Sequence, residues 1–115
     1  MTAQILKKVQ KGVRFLNKRN PGWYKKIKLT ELNMGGTYDC ILGQLYCNFP
    51  IGVEHLGLTF INMEEALTKA APYGFSITSA MTDRLNKKDA KLVDKLYKQY
   101  TNIWKAEIHK LRKVI

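Results

Sequence analysis

Residues 39–58, DCILGQLYCNFPIGVEHLGL, decide how this chain folds. Ile41, Leu42, Leu45 and Tyr46 recur at helical spacing, which predicts a short apolar helix in the middle of the sequence. Gly43 and Gln44 interrupt that run. Glycine inside a helix costs about 1 kcal/mol relative to alanine, so Gly43 predicts a neighbouring element that approaches closely. A buried glutamine amide carries two donors and an acceptor. Gln44 is therefore expected to tie loop backbone groups together, with a ligand contact as the alternative. Asp39 is the expected helix cap, Pro50 opens a second short helix, and Gly57 stands where that helix would end.

The same stretch holds both cysteines, Cys40 and Cys47. On one helix they would lie roughly 10 Å apart along the axis, beyond the reach of about 7 Å between the Cα atoms of a disulfide. Two reduced, buried thiols in a cytoplasmic setting follow as the expectation. Zinc sites use close pairs such as Cys-x2-4-Cys or His-x3-5-His, and neither Cys40/Cys47 nor His55/His109 has that spacing. No metal and no cofactor is expected. An apolar setting would raise a thiol pKa rather than activate it, and Gly35-Gly36 lack the spacing of a phosphate-binding loop. The expectation is a non-enzymatic protein.

Outward from the centre, both ends read as amphipathic helices. In residues 2–19, Ile5, Leu6, Val9, Val13 and Leu16 fall within an arc of about 100°, and Lys7, Lys11, Arg14 and Lys18 within about 60° on the opposite side. Phe15 falls among the cations, expected to pack on a neighbouring loop, or else to serve as an exposed aromatic platform. Asn20 and Pro21 suggest a capped restart that places Trp23 and Ile27 on one face, and Thr30 could cap a short turn. Asn62 and Glu65 resemble a capping box for a helix closed by Pro72 and Gly74. Residues 75–86 fit a loop or a helical turn equally. Val93, Tyr97, Tyr100, Trp104, Ile108, Leu111 and Ile115 form one stripe with a step near 3.6, widened by Leu92, Leu96, Ile103 and Val114. Lys91, Lys95, Lys98, Lys105, His109, Arg112 and Lys113 take the solvated side. Glu107 lies beside the stripe, an expected partner for Lys110 or an N-terminal cation. The fold class predicted is mostly α, a compact single helical domain spanning residues 1–115 with a long C-terminal helix. No apolar run approaches the roughly 20 residues of a membrane span, and MTAQILKKVQ lacks the form of a secretory signal.

The formal net charge is +11 across 115 residues. Residues 1–28 hold nine Lys/Arg and no acid, whereas residues 29–83 hold one Lys and six acids. Residues 84–115 return to ten Lys/Arg against three acids. This layout predicts an electrostatic face assembled from both termini. Clustered lysines bind nucleic acid through phosphates, independently of sequence and sensitively to salt. The expected nucleic-acid-binding residues are Lys7, Lys11, Arg14, Lys18, Lys25, Lys26, Lys91, Lys95 and Lys98.

Pro21-Gly22-Trp23, then Cys40-Ile41-Leu42-Gly43-Gln44-Leu45-Tyr46, Leu56-Gly57-Leu58, Tyr73-Gly74-Phe75 and the late Trp104 together resemble a family of small phage and prophage proteins. The resemblance extends from Asn20 to Ile108 and departs at Cys47, where many members of that family have Gly. It brings no catalytic residue. It implies an accessory protein in the host cytoplasm that binds nucleic acid or a ribonucleoprotein, or alternatively a protein inhibitor of host defence such as an anti-CRISPR acting on a Cas nuclease.

Overall fold

The computed structural model describes residues 2–77 and 90–113. Five α-helices appear among them: α1 (Thr2–Arg19), α2 (Ile41–Tyr46), α3 (Phe49–His55), α4 (Met63–Ala70) and α5 (Ala90–Lys113). Two 3-10 turns, Trp23–Lys25 and Ala71–Tyr73, complete the regular structure, and no strand occurs among the described residues. The mostly α class is as the sequence predicts. The reading of residues 75–86 as loop or helical turn falls from residue 78 onward outside the described residues, as do Val114 and Ile115 at the end of the stripe.

The central helix starts one residue later than expected. Cys40, not Asp39, is the cap, with extended backbone and a thiol sulfur that accepts the Gly43 amide at 3.2 Å. The Asp39 carbonyl is needed elsewhere, accepting the Asn33 amide at 3.1 Å and Gln44 Nε2 at 3.1 Å. Gly43 explains itself: a Cβ there would lie 2.5 Å from the Thr37 carbonyl oxygen and 2.6 Å from the Tyr38 carbonyl carbon. Gln44 is the structural tie, accepting the Lys28 amide on Oε1 at 2.7 Å and donating Nε2 to the Lys28 carbonyl at 3.2 Å. One side chain thus fastens two loops to α2.

Asparagines cap the next two helices. Asn48 accepts from the Ile51 amide at 2.9 Å, with Pro50 in the first turn of α3, and Asn62 accepts from Glu65 at 2.8 Å at the start of α4. Gly57 and Gly74 follow the ends of these segments with left-handed backbone, as helix stops do. Asn20 is not a cap. It donates Nδ2 to the Tyr46 hydroxyl at 3.2 Å, and Gly22, with φ +81°, leads into the 3-10 turn instead. At Thr30 there is no helix, only successive turns closed by Glu31 N to Lys28 O and Leu32 N to Leu29 O.

α5 gathers the rest. Trp104 is fully buried, donates Nε1 to the Gly74 carbonyl at 2.8 Å, stacks on Phe75 at 5.5 Å and meets Trp23 edge-on at 5.8 Å. Gly12 of α1 lies against the same ring; a Cβ there would stand 3.0 Å from Trp104 Cη2 and 2.0 Å from the Tyr73 carbonyl oxygen. One buried cluster takes side chains from all five helices, including Ile5, Ile41, Val53, Ala66 and Ile108. Thr101 pins the loop 32–36 to α5, accepting the Met34 amide at 2.9 Å and donating to the Tyr97 carbonyl at 2.8 Å.

Tyr100 is the exception within this core, because its buried hydroxyl has no hydrogen-bond partner among the described residues. An unpaired buried polar group costs about 1–3 kcal/mol. Tyr100→Phe is accordingly expected to match or exceed the parent stability by about 1 kcal/mol in urea unfolding. Gly43→Ala, whose methyl meets backbone that cannot yield, is expected to lose about 2–3 kcal/mol in the same measurement.

Candidate nucleic-acid interface

All nine cations singled out from the sequence are exposed: Lys7, Lys11, Arg14, Lys18, Lys25, Lys26, Lys91, Lys95 and Lys98. Helical geometry positions the first four along one ridge of α1. The opposite side of that helix carries Val9 and Leu16, fully buried, and Gly12, which meets Trp104. On α5 the lysines lie across the helix from Tyr100, Trp104 and Glu107, and Glu107 faces α1 through Gln10 Nε2 at 3.4 Å. The two ridges consequently look away from each other.

A basic segment links them. Residues 23–28 leave the C-terminal end of α1, where Trp23 Nε1 donates to Asn17 Oδ1 at 2.9 Å. They are clamped to the C-terminal end of α5 by Arg112, whose Nη2 donates to the carbonyls of Tyr24 at 2.8 Å and Ile27 at 2.6 Å. Lys25, Lys26 and the exposed Lys28 sit on this bridge. The cations of α1, the bridge and α5 make up a discontinuous basic belt, in which Lys98 lies roughly 20 Å along the helix axis from the Arg112 clamp. Arg112 itself, expected among the solvated residues, is a structural clamp, because a helix C-terminal guanidinium can satisfy carbonyls that a turn leaves open.

Two cations of α1, Lys11 of the ridge and Arg19 at the helix end, are partly engaged by rings. Lys11 Nζ stands 5.1 Å above the Tyr73 ring, Phe15 packs on Tyr73 at 4.6 Å, and the Arg19 guanidinium lies 5.3 Å from the Phe15 ring. Phe15 thus packs on a neighbouring turn, as the simpler of the two sequence readings holds. Glu107 is 9% exposed and paired with Lys110 at 3.6 Å, the expected lysine. The remaining described acids, apart from Asp94, lie in residues 29–77 as Glu31, Asp39, Glu54, Glu64 and Glu65, where Lys69 is the sole cation and is paired with Glu65 at 3.1 Å. Charge is therefore sorted between the α1–bridge–α5 layer and the α2–α4 layer.

Sequence reasoning missed a groove beside the belt. A 620 Å³ depression runs between α5 and the loop 32–35, with Lys98, Asn102 and Lys105 on the helix side and Asn33 on the loop side. Only the tertiary fold brings those residues together.

The cysteines stand apart in environment. Cys40 is buried, and burial pushes its thiol above the usual range against the lowering effect of the Gly43 amide. Cys47 is exposed, correcting the expectation of two buried thiols, because the chain turns there between α2 and α3 with φ +89° and ψ −50°. Those angles approach a γ-turn conformation that L-residues adopt with strain. His55 is exposed and stacks on Tyr46 at 4.9 Å. Among the described residues no three of His, Cys, Asp and Glu converge as metal ligands, and no helix is long and apolar enough to cross a membrane. Compared with protein-family models, curated proteins and solved structures, the chain gives no match.

Cys47→Gly is expected to stabilise the protein by about 1 kcal/mol in urea unfolding, since glycine adopts positive φ without the Cβ penalty. The buried acids predict alkaline sensitivity. Burial raises the Cys40 thiol and the Tyr97 and Tyr100 hydroxyls, so the unfolded chain releases these protons first. Stability is full below about pH 8.5 and declines as pH rises toward about 10, the range in which unfolded thiol and phenol ionise. Urea midpoints across that range test it, and Cys40→Ser, which keeps a capping oxygen, is expected to flatten the lower part of the decline.

Proposed function

We propose that this protein is a non-enzymatic, phage-type accessory module that binds nucleic acid, free or within a ribonucleoprotein, through its basic belt. One observation carries the reading. Nine Lys/Arg in residues 1–28 occur without an acid, those named above are exposed, and Arg112 ties the bridge that carries Lys25, Lys26 and Lys28 to the C-terminal end of α5. Like charges held this way repel one another, at a cost in stability. Polyanion binding recovers that energy by counterion release. Most of the cations are lysines, which suit phosphate contacts better than bidentate base reading, so the binding is largely independent of sequence.

A second reading, a protein inhibitor of host defence machinery such as a Cas nuclease, draws on a different part of the surface. Tyr38, Ile61 and Met63 are exposed at 66%, 88% and 49%, and Met63 shares a 170 Å³ apolar hollow with Thr37, the neighbour of Tyr38. Salt-insensitive capture of one protein partner would favour this reading over the first.

Binding of a fluorescent oligonucleotide, measured by anisotropy across a salt series, separates the two. Affinity is expected to fall steeply with salt. Replacing Lys7, Arg14 and Lys18 by Glu is expected to weaken binding at least about tenfold and to lower the log–log salt slope by about 2–3, at 0.7–0.9 per lost phosphate contact. Glu54→Lys in the acidic layer is expected to leave the slope unchanged. A flat salt response in the parent protein would sink the reading.

A further inference from the structure

We propose that the groove between α5 and the loop 32–35 is a cleft that receives a nucleotide of single-stranded nucleic acid. The inference rests on the nucleic-acid reading above and adds which form of nucleic acid the protein prefers. Its 620 Å³ volume falls in the range of about 300–1,000 Å³ typical of small-molecule sites. Lys98 and Lys105 on its helix side are seven residues apart, about 10 Å along the axis. Among the described residues neither has an ion-pair partner. Two lysine arms at that separation reach different phosphates of one strand, which is the charge complementarity that selects a polyanion here.

The rest of the lining suits a base. Leu32, Val93 and the half-buried Tyr97 supply apolar surface. Asn102 and Asp94 add an amide and a carboxylate that can meet the donors and acceptors of a base edge. Asn33 Oδ1 is already committed to the Gly35 amide at 2.9 Å, so that residue shapes the loop and leaves its amide donors toward a ligand. Both walls are held in place before any ligand arrives. The Thr101 hydroxyl joins the Met34 amide to the Tyr97 carbonyl, and Gly35 lies so close to Tyr97 that a Cβ would stand 3.2 Å from its ring. Pre-organised walls lower the entropic cost of binding. A duplex keeps its bases stacked and presents its backbone to such a cleft, whereas an unstacked strand can lay a base inside it.

The test compares a labelled single strand of about 12 nucleotides, a length within the usual single-strand site size, with its duplex at one salt concentration. The full chain is expected to bind the single strand about tenfold more tightly, a difference of about 1.4 kcal/mol. Lys98→Glu with Lys105→Glu is expected to bring single-strand affinity down to the duplex level. The same charge change on α1, Lys7→Glu with Lys18→Glu, is expected to weaken both forms alike and keep their ratio. Circular dichroism of both variants checks that they remain folded. Equal or tighter duplex binding, or a single-strand preference that survives Lys98→Glu with Lys105→Glu, overturns the cleft while salt-dependent binding leaves the broader reading standing. Absence of binding to either form at low salt overturns both.

Discussion

Trp104 is where the two halves of the molecule meet. Its indole N–H satisfies the Gly74 carbonyl at the end of the α4 segment, and its ring is bounded by Phe75, Trp23 and Gly12. A side chain of that size buries some 150–250 Å², so each element that contributes a wall is fixed relative to α5. The Gly12 contact sets the approach of α1, and the Trp23 contact sets where the chain re-enters after α1. Those two placements in turn determine where the N-terminal cations stand. The polar position of every charge on the belt thus depends on an apolar packing decision at one indole.

Around that anchor the polar ties are economical. Gln44 holds two loops to α2, Thr101 holds the loop 32–36 to α5, and Arg112 holds residues 23–28 to the end of α5. Each uses a side chain to answer backbone groups in loops too short and irregular to answer one another. Arg112 has a double consequence, since by satisfying the Tyr24 and Ile27 carbonyls it also holds the segment bearing Lys25, Lys26 and Lys28 against the C-terminal end of α5. A purely structural hydrogen bond therefore extends an electrostatic surface. Repulsion along that surface is moderated because its cations project into water, where screening acts over about 8–10 Å.

Much of the fold could be read before the structure. The helical spacing of α1 and α5, the Asn62 cap, the close approach at Gly43 and the Gln44 tie all follow from local chemistry. The expected caps at Asp39 and Asn20 fail for related reasons, because a group each residue would need at a helix start is engaged elsewhere, the backbone carbonyl at Asp39 and the side-chain amide at Asn20. Asp39 lends its carbonyl to Asn33 and Gln44, and Asn20 reaches Tyr46. Cys47 is exposed against the local pattern for a related reason. Apolar neighbours in sequence do not keep a residue inside when the backbone reverses at that very position.

The candidate site divides along the same line. Which residues are cationic and which side of each helix they occupy was determined by sequence alone, since helical periodicity separates them from the apolar stripe without reference to any other element. How the ridges relate in space was decided only in three dimensions. The crossing at Gly12 and Trp104 turns them outward, and the Arg112 clamp places the basic segment 23–28 at the C-terminal end of α5. The groove beside Lys98 and Lys105 belongs wholly to tertiary structure, because its two walls are far apart in the chain, as Met34 and Thr101 are, and meet through the hydrogen bond between those two residues. Local pattern encodes the face of a helix; the partner that lies across from it depends on which surfaces pack.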